Sequence, residues 1–142
     1  MLNSFSLKFM DAGRDLSLFF SRLVIAYGFF EPAIQKWSDI RSIADWFASM
    51  SIPFPLVNAY LAAGTEMLGV VLLSLGLFTR IISIPLIIVM LVAIFTVHYS
   101  HGFSAGDNGF EIPLYYMLFL SFFASFGAGK FSLDYLLFGE DS

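Results

Sequence analysis

Residues 56–77 read LVNAYLAAGTEMLGVVLLSLGL, a run with one formal charge, Glu66, near its middle. A helix needs about 20 mostly apolar residues to cross roughly 30 Å of hydrocarbon, so this run is long enough to span a membrane. Its ten Leu and Val residues contribute roughly −3 to −6 kcal/mol on insertion scales. One charged residue costs about 2.5–3.5 kcal/mol, so the helix inserts and takes its glutamate with it. Helical spacing places Ala59, Ala62, Ala63 and Gly69 on the face of Glu66. Small residues let helices approach closely, so that face is expected to point inward, with Glu66 needing a partner or a proton.

Three further runs flank this one. Residues 16–35 (LSLFFSRLVIAYGFFEPAIQ) are interrupted by Arg22 and Glu31; residues 81–99 lie in a stretch without formal charge between Arg80 and Asp107; residues 112–127 are rich in Phe and Tyr. None shows the period-two alternation of a membrane strand. The first run carries charges and lacks a small-x-small cleavage site, so it reads as a retained helix and not a signal peptide. The expected fold is all-α: one domain over residues 1–142, an integral membrane four-helix bundle. Composition agrees. Of 142 residues, 58% are hydrophobic and 13% charged, whereas soluble domains have about 45–50% and about 25%. Disorder is excluded by the same figures. Seven Lys and Arg against eleven Asp and Glu leave no basic patch for nucleic acid. The chain has no cysteine, which rules out disulfides, thiolate metal sites and CxxC chemistry within it.

Lys and Arg concentrate on the cytoplasmic side of membrane proteins. A cytoplasmic N-terminus puts Lys8, Arg14, Arg22, Arg80 and Lys130 on that side and only Lys36 and Arg41 outside; both termini are then cytoplasmic. Between the first two spans, SDIRSIADWFASM carries Ile40, Ile43, Phe47 and Met50 on one stripe, with Ser38 as the expected cap. This short amphipathic helix either lies in the outer interface, with Trp37 and Trp46 at headgroup depth, or covers the bundle end as a lid. Pro53 and Pro55 end it and open the next span.

Arg22 is the expected partner of Glu66, within reach of it from the cytoplasmic half of the first span; Ala26, Ala33 and Lys36 share its face. The pair reads either as a site for a ligand headgroup or proton, or as an ion pair locking two helices. Glu31, Lys36, His98, His101, Asp107 and Glu111 gather at the outer end. His-x2-His at a helix end matches no strict ligand motif, so these read as interfacial histidines and no metal site is assigned. In GAGKFSLD, residues 127–134, the glycines end the fourth helix and Ser132 caps a short tail helix. No Lys-Ser/Thr follows the glycines, so this is not a phosphate loop.

In this order, the pieces resemble the DoxX family of small four-helix membrane proteins, over about residues 22–134. They are Arg22 with Lys36 fourteen residues on, Ala62-x-x-x-Glu66-x-x-Gly69, Leu77-x-Thr79-Arg80, His98, and Gly127-x-Gly129-x-Phe131-Ser132-Leu133-Asp134, with Phe131 in a tyrosine position. Two departures stand out: Ala33 replaces a usual glycine after Glu31-Pro32, and Met50-Ser51-Ile52 lacks the glycine that often precedes the proline. The resemblance implies a bacterial inner-membrane protein, associated in relatives with sulfur or thiol oxidation that delivers electrons to quinone, or with redox-stress complexes. It makes Arg22, Lys36, Glu66, Arg80 and His98 the candidate polar core or ligand site, and Gly69, Thr79, Gly127, Gly129, Ser132 and Asp134 structural motif residues.

Three functions follow. The chain is the membrane subunit of a redox complex, with a quinone or lipid headgroup near Arg22, Glu66 and Arg80 and a soluble or membrane redox protein as partner. Alternatively it is a small proton-coupled transporter using Glu66, thin for that role unless it forms a homo-oligomer, or a ligand-free assembly scaffold. Without cysteine or an evident metal or haem ligand pair, the chain is not expected to carry electrons or catalyse alone; its only implied cofactor is a bound quinone. The five-to-two split of Lys and Arg carries the topology: reporter fusions at Ser142 and within residues 100–107 should report opposite sides, and a C-terminal fusion active outside the cell overturns it.

Overall fold

The computed structural model describes residues 3–139. Both chain termini, expected on the cytoplasmic side, lie outside them. Helices occupy nearly all of the described chain, and no strand occurs among the described residues. Helix α1 runs Ser4–Ser38, α2 Ile40–Ser49, α3 Pro55–Leu75, α4 Thr79–Ala93, α5 Glu111–Phe126 and α6 Leu133–Phe138.

Helix α1 is far longer than the expected 16–35. Asn3 caps it, its Oδ1 accepting from Ser6 N at 2.8 Å, and no proline interrupts residues 4–15. Pro32 lies inside the helix without ending it. The cap of α2 is Asp39 and not Ser38, which closes α1 by donating to Gln35 O. Ser42 donates to the Asp39 carboxylate from both Oγ and N, and these bonds hold its pKa below the ordinary aspartate value. Pro55 opens α3, where its missing N–H costs nothing. Helix α4 passes into a π turn, Ile94–His98, and a 3-10 turn, Tyr99–His101. Ser132 caps α6 as expected, accepting from Tyr135 N at 3.2 Å.

Helices α1, α3 and the run Thr79–His101 are each long and apolar enough to cross a membrane. Helix α5 is apolar but has 16 residues, about 24 Å at 1.5 Å per residue. Helix α1 packs on α3 and α5, α4 packs on α3 and α5, and α2 lies over α3. The four longer helices share one core of Leu18, Ile25, Phe29, Leu73, Leu86 and Phe123, with smaller neighbours. Large apolar side chains also cover the outside, among them Val24, Tyr27, Ile81, Phe95 and Phe122. An apolar exterior of this extent needs lipid around it.

The α3–α4 turn anchors one end, termed the clamp end; the other is the α2 end. Gly76 in that turn has φ +66°, and an added Cβ there meets Ser132 Cβ at 2.5 Å and Arg22 Nη1 at 2.6 Å. A side chain is therefore opposed by both backbone conformation and space. Gly76→Ala should lose at least about 2 kcal/mol, read as a lowered Tm of the detergent-solubilised protein; an unchanged Tm overturns the assignment.

Candidate functional site

The expected site residues separate into two groups. At the clamp end, Arg22 is fully buried and bonded only to backbone. Its Nη1 donates to Leu73 O at 2.7 Å, Nε to Ala128 O at 3.1 Å and Nη2 to Phe131 O at 2.5 Å. The guanidinium also lies 5.6 Å from the Phe19 ring centroid. Leu73 is in the last turn of α3, where carbonyls lack the usual i+4 partners, and its oxygen also accepts from Gly76 N at 3.3 Å. The buried Asp134 carboxylate accepts from Phe78 N at 2.7 Å and Thr79 N at 3.1 Å, the first amides of α4. A cation at a helix C-terminus and an anion at an N-terminus both complement the helix dipole. Ser132 Oγ donates to Gly129 O at 2.6 Å, Gly127 N donates to Phe123 O, and Arg80 Nη1 donates to Ser125 O at 2.9 Å. Thr79, Gly129, Ser132 and Asp134 thus form one clamp with Arg22, and Gly127 closes α5 just before it.

This corrects the expected Arg22–Glu66 pair. Lys36 is the partner of Glu66, its Nζ 2.9 Å from Oε2 and 3.2 Å from Oε1. Helices α1 and α3 run antiparallel, with Arg22 opposite Leu73 and Trp37 Nε1 donating to Ala63 O at 3.1 Å. Arg22 is fourteen residues, about 21 Å of helix, from Lys36. The face of Glu66 was read correctly: it is buried with Ala59, Ala63 and Gly69.

Toward the α2 end, residues of α1 to α5 line a cavity of about 780 Å³ that is open on one side. An added Cβ on Gly69 meets Leu86 Cδ1 at 2.7 Å, so α3 and α4 touch there and the cavity begins one turn beyond. Its walls are mostly apolar. Polar groups reach it from α1 (Lys36), α3 (Asn58, Thr65, Glu66), the π turn (Thr96, His98) and α5 (Tyr116). Pockets of 300–1,000 Å³ with apolar walls and a few placed polar groups are the usual form of a small-molecule site. The π turn sits at its rim, as such turns often do at functional sites. Trp46 and Phe47 of α2 and its C-cap Met50 line it, so the end of α2 serves as a lid. His98 Nδ1 is 2.9 Å from Asn108 O. A carbonyl only accepts, so Nδ1 carries the proton and Nε2 is the acceptor in the neutral ring.

The rest of the outer constellation disperses. His101 Nδ1 bonds Val97 O, Glu111 Oε1 accepts from Ala105 N, and Glu31 Oε1 accepts from Gln35. Among the described residues no group of three or more His, Asp or Glu is placed to hold a metal ion. Asn58, Thr65, Thr96 and Tyr116 were not singled out in the sequence. Asn58 stood out only as a polar residue early in an apolar span, and the π turn that positions Thr96 and His98 has no sequence mark.

The DoxX family pattern matches residues 17–99, which include Arg22, Lys36, Glu66 and His98. The chain belongs to the DoxX family. An uncharacterized protein of Haemophilus influenzae is 34% identical over 138 residues, covering 92% of this chain and 89% of that protein. A second uncharacterized protein of the same organism is 33% identical over 129 residues, covering 88% and 93%. No solved structure matches the chain. This DoxX-family membrane protein therefore carries its family motif in two places with different work.

The Lys36–Glu66 pair can be weighed by double substitution. Removing one partner of a buried pair costs about 3–5 kcal/mol, whereas replacing both with apolar residues is often neutral. Lys36→Met should lower Tm clearly, and Lys36→Met with Glu66→Leu should recover more than half the loss. Additive losses in the double variant overturn the pairing.

Proposed function

We propose that this DoxX-family protein is the membrane subunit of a bacterial inner-membrane redox complex, and that its α2-end cavity holds the head of a quinone. The single observation that carries this reading is the Lys36–Glu66 pair set into the wall of a large apolar cavity. In the proposed topology both termini are cytoplasmic, α5 makes a fourth crossing, and the cavity lies toward the outer face. The expected headgroup site at Arg22 and Arg80 is replaced by this one, because the Arg22 guanidinium is occupied by backbone carbonyls.

The residues suit such a head. A quinone supplies a reversible acceptor of two electrons and two protons when bound. Lys36 Nζ has three donors and its side chain is 17% exposed, against 4% for Glu66, so the ammonium meets a ligand and the carboxylate stands behind it. Lys36 then donates to a carbonyl oxygen of the head, and Glu66 orients Lys36 and can hold a proton at its carboxylate. The Asn58 amide and Tyr116 hydroxyl offer further hydrogen bonds, and Trp46, Phe47 and Met50 of α2 exclude water. Electrons reach the site from a redox partner protein. No reaction is assigned to this chain alone.

Native mass spectrometry of the detergent-purified protein tests the reading. Wild type should carry a quinone-mass adduct from the host membrane. A folded Glu66→Gln protein, which keeps shape but cannot titrate, should retain the adduct while failing to complement a deletion strain. A wild-type protein that stays empty when decyl-benzoquinone is added in excess sinks the proposal.

A further inference from the structure

We infer that the cavity is filled from the bilayer, through the gap between α3 and α4, and that it accepts only a head without net charge. This rests on the reading of the cavity as a ligand site; it gives the neutrality of the head a ground in the lining and adds the route.

The charge argument comes from the lining. Of all the residues that line the cavity, only Lys36 and Glu66 are formally charged, and they neutralise each other at 2.9 Å. With the pair ionised, a phosphate or carboxylate head brings a net negative charge into an apolar site whose own charges already cancel, beside the buried Glu66 carboxylate. Unpaired charge in an apolar site is strongly disfavoured. A cationic head has the mirror problem at Lys36. A neutral head with hydrogen-bond acceptors uses the third donor of Lys36, the other two being directed at Glu66, and leaves the pair intact.

The route follows from which lining residues are also exposed. The aqueous end is roofed by α2 and by Ile52 and Pro53. The floor is closed where Gly69 meets Leu86. Leu61 of α3 and Ile88 and Val92 of α4 line the cavity and are nevertheless 61%, 55% and 46% exposed, the largest share of its exposed apolar lining, with Trp46 and Ile112 at its α2 and α5 edges. The first three therefore form a rim between inside and outside, and they stand on helices long and apolar enough to cross the membrane. The opening they flank gives onto hydrocarbon, so the ligand is lipid-soluble and its apolar tail leaves through that gap.

The chain has no cysteine and two tryptophans, of which Trp46 lines the cavity and Trp37 does not. Trp37→Phe with Leu61→Cys and Ile88→Cys gives one fluorescent reporter and one thiol pair across the gap. In phosphatidylcholine nanodiscs, decyl-benzoquinone should quench Trp46 saturably, and didecanoyl phosphatidylglycerol should not displace it. Bridging the thiols with a cleavable bifunctional reagent should slow quenching about tenfold or more, as expected when access is gated, and cleavage should restore the rate. Displacement by phosphatidylglycerol at equal affinity, or an unchanged rate after bridging, overturns the inference while leaving the cavity as a ligand site. Absence of saturable quenching in the unbridged protein overturns both.

Discussion

Everything above the α3–α4 turn depends on one buried guanidinium. Arg22 enters the bilayer region on α1, where a charge is costly, and is held by three backbone carbonyls from α3 and the segment after α5. Two needs are met together: the cation is solvated by dipoles, and carbonyls at the end of α3 and between α5 and α6 gain a charged donor. Asp134 does the converse for the first amides of α4. The turn is thus gripped on both sides by charges whose signs suit the helix ends. With α3 and α4 fixed there and in contact at Gly69 and Leu86, nothing equivalent joins them beyond. Pro85, beside the point of parting, lacks the N–H for one rung of α4. The cavity lies beyond that contact, with α1, α2 and α5 completing its walls.

The same face of α1 carries a second base, used differently. Arg22 has a rigid planar fork saturated by fixed carbonyls, so it is suited to holding geometry. Lys36 ends in a compact ammonium on a flexible stem, bonded to one carboxylate. Exchanging the two loses both functions: an ammonium cannot span three divergent carbonyls, and a guanidinium locked bidentate on Glu66 leaves less freedom to meet a ligand. The motif arginine holds the scaffold, and the lysine faces the space that the scaffold creates.

Much of this was legible in the sequence. The apolar runs, the inward face of α3, the amphipathic α2 and the cap of α6 follow from period, small residues and cap chemistry. The partner of Glu66 was not legible, for two physical reasons. Depth was judged from the centre of an apolar run over 16–35, but α1 continues through Pro32 to Ser38 and carries Lys36 into the packed region. The partners of Arg22 are backbone atoms, and carbonyls have no letter in a sequence. A buried arginine therefore invites pairing with the nearest written acid, and here that acid belongs to another base.

Helix α2 shows how far an amphipathic pattern reaches. Its stripe is the same whether the helix floats on lipid or roofs a cavity, and only what lies beneath it decides. Here Trp46, Phe47 and Met50 line the cavity. The segments on either side of the helix are also tied. On one side Trp37 bonds Ala63 O; on the other, the Asn58 amide bonds Pro53 O. Between them Ser51 and Phe54 take left-handed φ of 61° and 49°, a strain of about 1–3 kcal/mol each that persists only where surroundings dictate the path. A roof strained into place and fastened at both edges is a fixed wall, so passage is left to the side where Leu61 and Ile88 turn exposed apolar faces outward.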